Sequence, residues 1–302
     1  MAFLNIMLGE SVNHVSITNN QLHVKSKDSG EHRFALRDIN SLIIENTKIT
    51  LTVFALEKLI SERVAVYLCD AKHHPCGVVL PFNNHYSQFR IFKLQYNAPR
   101  PLQKQIWQQI VKQKIINQSM VLRLLEKQGE PELLTMAKEV NSGDTLNKES
   151  TSAGFYWRKY FDNKFHRSTD CFANDALNYG YSILRGQIAR SVVAHGLQPF
   201  LGIHHENELN AFNLVDDLIE PLRPFVDLLV AKNFDFSLNK LLPEHKQKLL
   251  DILNLGIEIN GKIYSLPNAI EIIVETFVAS LRDNTVKINL PTLRELKSFK
   301  YE

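Results

Sequence analysis

The spacing of apolar residues changes once along this chain, near residue 82, and the change divides it into two parts. In the first part apolar positions recur mostly every second residue. Val12-Asn13-His14-Val15-Ser16-Ile17 alternates, Asn19-Asn20 offers a turn that tolerates positive φ, and Leu22-His23-Val24 alternates again, so the spacing predicts a β-hairpin. Ser29-Gly30 marks a second turn, followed by the strand candidates Phe34-Ala35-Leu36 and Ser41-Leu42-Ile43-Ile44. Between Thr50 and Arg63 the apolar residues Leu51, Val53, Phe54, Leu56, Leu59 and Ile60 fall at helical spacing, and Val64 to Leu68 returns to strand.

Pro81-Phe82-Asn83-Asn84 reads as a linker, and beyond it the period is helical. Helices are expected from about His85 to Tyr96, Pro101 to Lys127, Glu130 to Asn141, Thr145 to Phe165 and Phe172 to His195. In the last of these, Ala173, Ala176, Leu177, Gly180, Ile183, Leu184 and Ile188 form one stripe to be buried. Gly196 is placed to end it as a left-handed cap, with Pro199 just beyond. The expectation is an α+β protein: a small β-rich N-terminal domain, residues 1–82, and a larger all-α domain, residues 83–302.

Composition narrows the classes without choosing among them. A chain of 302 residues is long enough for two domains and a sizeable core. The net charge of +3 permits a nucleic-acid partner but does not demand one. No apolar stretch reaches the length of a membrane span, and Met1-Ala2-Phe3-Leu4-Asn5 lacks the basic start and long apolar core of a secretory signal. Cys69, Cys76 and Cys171 are odd in number and lack metal-ligand spacing, which suits reduced thiols and a cytoplasmic location with no membrane partner.

The candidate chemistry lies in the second part. Phe212 to Pro224 sets Asp216, Asp217, Glu220 and Arg223 among apolar residues, and on a helix Asp217 and Glu220, three apart, share a face. Like charges in a shielded cleft repel unless a cation neutralises them. Upstream stands Gly202-Ile203-His204-His205, and Glu149 follows Asn147-Lys148 at the start of a helix. Three carboxylates and an imidazole suit Mg²⁺ or Mn²⁺ better than zinc or copper. There is no His-Glu-x-x-His helix, phosphate-binding Gly-rich loop or Gly-x-Ser-x-Gly elbow. Taken singly, each residue has an ordinary explanation: Glu149 as a partner of the helix dipole, the histidines as core residues, the acidic run as a solvated helix end.

Four ordered blocks carry a resemblance that these single residues do not. They are Glu149 with Ala153-Gly154-Phe155-Tyr156-Trp157, then Asn174 to Leu184, then Gly196 to His205, and finally Asp216-Asp217-Leu218-Ile219-Glu220-Pro221-Leu222-Arg223-Pro224. Together, over nearly the whole chain, they resemble the CRISPR adaptation integrases, the first universal CRISPR-associated proteins. These are metal-dependent DNases and integrases that insert new spacers into a repeat array. The doubled aspartate and the Gly-Ile-His-His block look most like the versions of type II systems.

The resemblance implies metal ligands and catalytic residues at Glu149, His205 and Glu220, with Asp217 as a secondary acidic position. His204 stands where the family usually has an apolar residue, so the assignment within the histidine pair rests on register. The implied reaction is phosphoryl transfer in which the 3′-OH of a short duplex attacks the array, or water attacks in its place. The implied partners are double-stranded DNA, a second copy of this chain, and the small second universal CRISPR-associated protein bridging two dimers. A type II effector nuclease and a ring-shaped adaptation factor are further partners of such systems. The N-terminal domain is then expected to serve dimerisation. Lys148 and Arg223 are the candidates to meet DNA near the scissile phosphate, although Arg223 equally suits a structural ion pair with Asp216 or Asp227. Two competing readings remain: a helical DNA-binding scaffold without activity, and a general metal nuclease.

Overall fold

The computed structural model describes residues 4–71, 73–81, 85–161, 167 and 169–300. It is an α+β structure that separates into two compact units, residues 1–83 and 84–302. The linker proposed at 81–84 falls largely outside the described residues.

The first unit contains β1 (Leu4–Leu8), β2 (Val12–Thr18), β3 (Gln21–Ser26), β4 (Gly30–Ala35), β5 (Ile39–Ile44), β6 (Thr50–Leu51), α1 (Val53–Ser61), β7 (Ala65–Cys69) and β8 (Pro75–Val79). The strands form two four-stranded sheets, ordered β1-β5-β7-β8 and β4-β3-β2-β6. The expected hairpin is β2–β3, closed where Thr18 pairs with Gln21. Asn19 and Asn20 sit at φ 52° and 57°, the positive values that a two-residue turn matching strand twist requires. Gly30, at φ 78°, opens the next antiparallel strand. Residues Thr50 and Leu51, expected within the helix, instead pair with β2, and the helix starts only after Thr52, whose Oγ1 accepts the Ala55 N–H at 3.1 Å. Val15, Leu22, Leu42, Ala55, Leu59 and Val66 meet in one apolar core.

The second unit contains α2 (Gln88–Tyr96), α3 (Arg100–Leu124), α4 (Glu130–Lys138), α5 (Lys148–Tyr160), α6 (Phe172–Ala194), α7 (Asn213–Ile219), α8 (Arg223–Asn233), α9 (Pro243–Leu249), β9 (Gly256–Ile259), β10 (Lys262–Ser265) and α10 (Leu266–Asp283). It is not all-α. Strands β9 and β10 form an antiparallel hairpin, turned by Asn260 at φ 51° and Gly261 at φ 78°. Ile257 and Ile259 on one face are buried, so burial and the Asn-Gly turn together fix a strand where a helix was expected. Helix α5 begins three residues later than the spacing suggested because Asn147 lies at φ 50°, outside the helical region. It ends at Tyr160, and residues 162–166 lie outside the described set. Helix α6 ends as expected, with Gly196 at φ 77° just past its last turn. Among the described residues, no helix is long and apolar enough to cross a membrane.

Candidate active site

The site is built in the second unit from α3, the start of α5, the loop 202–205 and the break between α7 and α8. That break is local: Pro221 cannot donate to the preceding turn, and Glu220–Leu222 winds as a single 3₁₀ turn between the two helices. Glu220 leaves this turn almost fully buried. Its Oε2 lies 2.5 Å from Lys114 Nζ, and its Oε1 accepts from Arg223 Nε at 2.7 Å.

Glu149 reaches the same ammonium from another direction, with Lys114 Nζ donating to its Oε1 at 2.8 Å. Its place is set by Asp144, whose two carboxylate oxygens accept the backbone N–H groups of Lys148 at 2.8 Å and Glu149 at 2.9 Å. Those N–H groups belong to the first helical turn, which has no intrahelical acceptor for them. Asp144 therefore caps α5 from outside the ordinary capping frame, across a backbone reversal at Asn147. Neither Asp144 nor Lys114 stood out in the sequence as a site residue, yet both fix the geometry of Glu149.

Two acids, Glu149 and Glu220, thus converge on one buried cation supplied by α3. Burial alone would push the Glu220 carboxyl up, but Arg223 and Lys114 outweigh it and hold it down at about 2. Burial likewise pulls the Lys114 ammonium down, and the two glutamates reverse the effect, so that its pKa is raised. Among the described residues, no three His, Cys, Asp or Glu side chains are grouped so as to hold a metal ion by themselves.

His205 lines a cavity of about 380 Å³ together with Glu220, Arg223, Arg185, Asp216, Tyr181 and Asn178. Its Nδ1 donates to Asp217 Oδ1 at 2.7 Å, which leaves Nε2 as the ring's basic edge. Asp217 is fully buried. It accepts the backbone N–H groups of Ile203 at 2.7 Å, His204 at 3.2 Å and His205 at 3.1 Å. A carboxylate in this position orients an imidazole and fixes its tautomer. The hydrogen bond to Asp217 raises the His205 pKa, burial opposes it, and the charges of Asp217, Glu220 and Glu149 add to the rise. Gly202 is required by close approach: a Cβ there would lie 2.2 Å from the His205 carbonyl oxygen and 2.9 Å from Asp217 Oδ2.

His204 has a different environment. Its ring stacks on Trp107, with centroids 4.1 Å apart and planes 6° from parallel. His205 meets the same indole only edge-on, with centroids 5.7 Å apart, and it is His205 that is hydrogen-bonded to Asp217 and lines the cavity with Glu220.

The Lys148 ammonium contacts Glu139 Oε2. Arg223 pairs with Glu220, not with Asp216 or Asp227, and stacks over the Tyr181 ring at 4.7 Å. Asp216 is already held by Arg185 through two 2.8 Å hydrogen bonds. Asp227 is buried among tyrosines: its Oδ2 accepts from Tyr156 at 2.9 Å, its Oδ1 from Tyr181, and its backbone carbonyl from Tyr160 at 2.7 Å.

The family model described as "CRISPR associated protein Cas1" matches residues 6–163 and 158–240. The chain is 39% identical to the CRISPR-associated endonuclease Cas1 of Neisseria meningitidis serogroup C (strain 8013), over 95% of this chain and 96% of that protein. It is 25% identical to a CRISPR-associated endonuclease Cas1 of Saccharolobus solfataricus, over 98% and 96% of the two chains. In fold it is similar to a casposase bound to integration product, with a TM-score of 0.77 and 23% identity over 95% of this chain and 92% of that one. It is also similar in fold to the Cas1 protein of Thermotoga maritima, with a TM-score of 0.68 and 17% identity over 92% and 97%. The match over most of the chain and the order of its blocks place it plainly: this protein belongs to the Cas1 family of CRISPR-associated endonucleases.

Proposed function

We propose that this chain joins the 3′-OH ends of short duplex DNA into a CRISPR array by phosphoryl transfer, with Glu149, His205 and Glu220 holding a divalent cation, Mg²⁺ or Mn²⁺. The observation that carries the proposal is the convergence of Glu149 and Glu220 on a single positive charge, beside an imidazole oriented by a buried carboxylate. The donor chemistry fits a hard cation, and the Lys114 ammonium stands in for it. When bound, such a cation would polarise a phosphate oxygen and ease ionisation of the attacking hydroxyl.

The chain's own residues would do the rest. Asp217 aims Nε2 of His205 into the cavity, and Arg223 keeps one Glu220 oxygen engaged while leaving the other for the cation. Arg185 and Arg223 line the same cavity, each paired with an acid, Asp216 and Glu220, and their guanidinium groups would offer further donors to a phosphodiester. Contacts of this kind hold a duplex through its backbone without reading its sequence. Solved complexes of a Cas6-RT-Cas1 fusion with Cas2 share the fold, with a TM-score of 0.70 over 94% of this chain. They support a small partner of the Cas2 kind, which would bridge two homodimers of this chain. In a type II-like setting an effector nuclease and a ring-shaped adaptation factor would join it. The first unit, among whose described residues no three His, Cys, Asp or Glu side chains are grouped to hold a metal ion, would serve dimerisation. Val53 and Phe54, exposed at the start of its helix, offer apolar surface for that contact.

The test is strand transfer into a supercoiled, repeat-bearing target with the small partner present. Glu149→Ala, His205→Ala and Glu220→Ala should each abolish joining with the fold intact, and His204→Ala should retain it. A donor blocked at both 3′ ends by dideoxy termini should bind but not join. Continued joining of that donor would exclude the 3′-OH as nucleophile.

A further inference from the structure

Lys114 lies in the middle of α3, on the face that also buries Ile110, Val111 and Ile115. A charged side chain is seldom placed there unless it is fully paired, because desolvating an ammonium is unfavourable. The pairing is complete: its Nζ is 2.8 Å from Glu149 Oε1 and 2.5 Å from Glu220 Oε2. With Arg223 on the other Glu220 oxygen, the four groups carry two negative and two positive charges and form a neutral set. Both glutamates come from segments distant in sequence, and each would repel the other across the same small space without the lysine.

We propose that Lys114 is a tethered cation that gathers Glu149 and Glu220 before a divalent metal arrives, and that gives up its position between them when the metal binds. The inference rests on the reading of these two glutamates as metal ligands. A divalent ion on the same two carboxylates would stand next to the ammonium in a site poor in water, where like charges repel strongly. The lysine stem is long and flexible, with three rotatable donors at its tip, so it can withdraw without moving the helix. Lys114 and the metal therefore compete for one place. The lysine keeps the carboxylates close to their working arrangement, and in doing so weakens the apparent affinity for metal.

Thermal unfolding of the full chain, titrated with Mn²⁺, tests this without reference to catalysis. The wild type should gain stability with Mn²⁺, and Glu149→Gln and Glu220→Gln should each remove that gain. In Lys114→Met the metal-free protein should melt lower than wild type. Its stabilisation by Mn²⁺ should be larger, with a midpoint concentration on the order of tenfold lower, as expected of a lost competitor. Lys114→Gln, which keeps hydrogen-bond donors near the carboxylates but no charge, should show the same shift in midpoint if the methionine variant does not fold without metal. A wild-type midpoint in Lys114→Gln, with a normal Mn²⁺ response abolished by Glu149→Gln, overturns the role of Lys114 and leaves the metal site standing. No Mn²⁺ response in the wild type overturns both.

Discussion

Asp227 makes a prediction whose size can be worked from the structure. Its carboxylate is buried beneath the site and takes hydrogen bonds from Tyr156 of α5 and Tyr181 of α6, while its carbonyl takes one from Tyr160. Burial pushes its pKa from 3.8 up to about 6, and the tyrosine hydrogen bonds and the charges of Arg167 and Arg223 only partly oppose it. The native state therefore binds this proton more tightly than the unfolded chain. Below pH 3.8 both states are protonated, and the favourable contribution of the neutral acid is fully present. Between 3.8 and about 6 the native state holds more protons, so stability falls as pH rises, and above 6 the contribution is lost. At ~1.4 kcal/mol for each tenfold difference in proton affinity, the gap amounts to ~3 kcal/mol. Asp227→Asn keeps the shape and cannot ionise. Urea unfolding of wild type and variant from pH 4 to pH 7.5 should show the wild type losing most of that ~3 kcal/mol relative to the variant, since titrations common to both proteins cancel. Parallel profiles would mean that the carboxylate is already ionised in the native state at low pH, and would refute this account of its burial.

Two further outcomes follow from contacts around the site. Asp217→Asn should lower Mn²⁺ affinity by roughly 10–100-fold, the usual loss when the group orienting a ligand histidine is changed, with helix content intact by far-UV circular dichroism; unchanged affinity would remove Asp217 from any role in orienting His205. Gly180→Ala would set a Cβ 2.5 Å from Val226 Cγ1, where α6 crosses α8, and should destabilise by ~1–3 kcal/mol in denaturant unfolding; wild-type stability there would show that the two helices are not so closely packed.

Much of the fold could be read from short-range chemistry. The β2–β3 turn was visible because two asparagines accept positive φ, and the end of α6 because a glycine does. The β9–β10 hairpin carried an equally clear signal, Asn260-Gly261 between alternating isoleucines, but its strands are only four residues each, too short for their period to stand out in a mostly helical half. Glu149, His205 and Glu220 stood out only through their resemblance to a family, since each has a commonplace alternative when read alone. Spacing did place Asp217 and Glu220 on one turn of helix, but it could not say what each would meet. One caps the backbone of the histidine loop and the other reaches α3. Lys114 did leave a trace: it repeats at helical spacing with Ile110 and Gln118 on a buried face, where an unpaired charge is untenable. Naming its partners required the tertiary structure, because they lie 35 and 106 residues away.

The distances between these residues in sequence explain why so many buried polar groups surround the site. Glu149 heads α5, Glu220 sits in a break between helices, and His205 is on a loop, so no single element holds the three in place. Glu149 and His205 are each fixed instead by an acid that does not line the cavity, and Glu220 is held by Lys114 and Arg223. Asp144 binds the backbone at Glu149, and Asp217 binds the backbone and ring at His205. Asp227 ties α5 and α6 to α8, the helix that begins with Arg223. Apolar packing alone would leave these segments free to adjust by small slides, whereas directional hydrogen bonds to buried carboxylates fix both position and orientation. The loss of any one support should shift the side chain it holds without unfolding the chain. Substitutions at Asp144, Asp217 and Asp227 should therefore disturb metal affinity and strand transfer even though none of the three lies between Glu149 and Glu220.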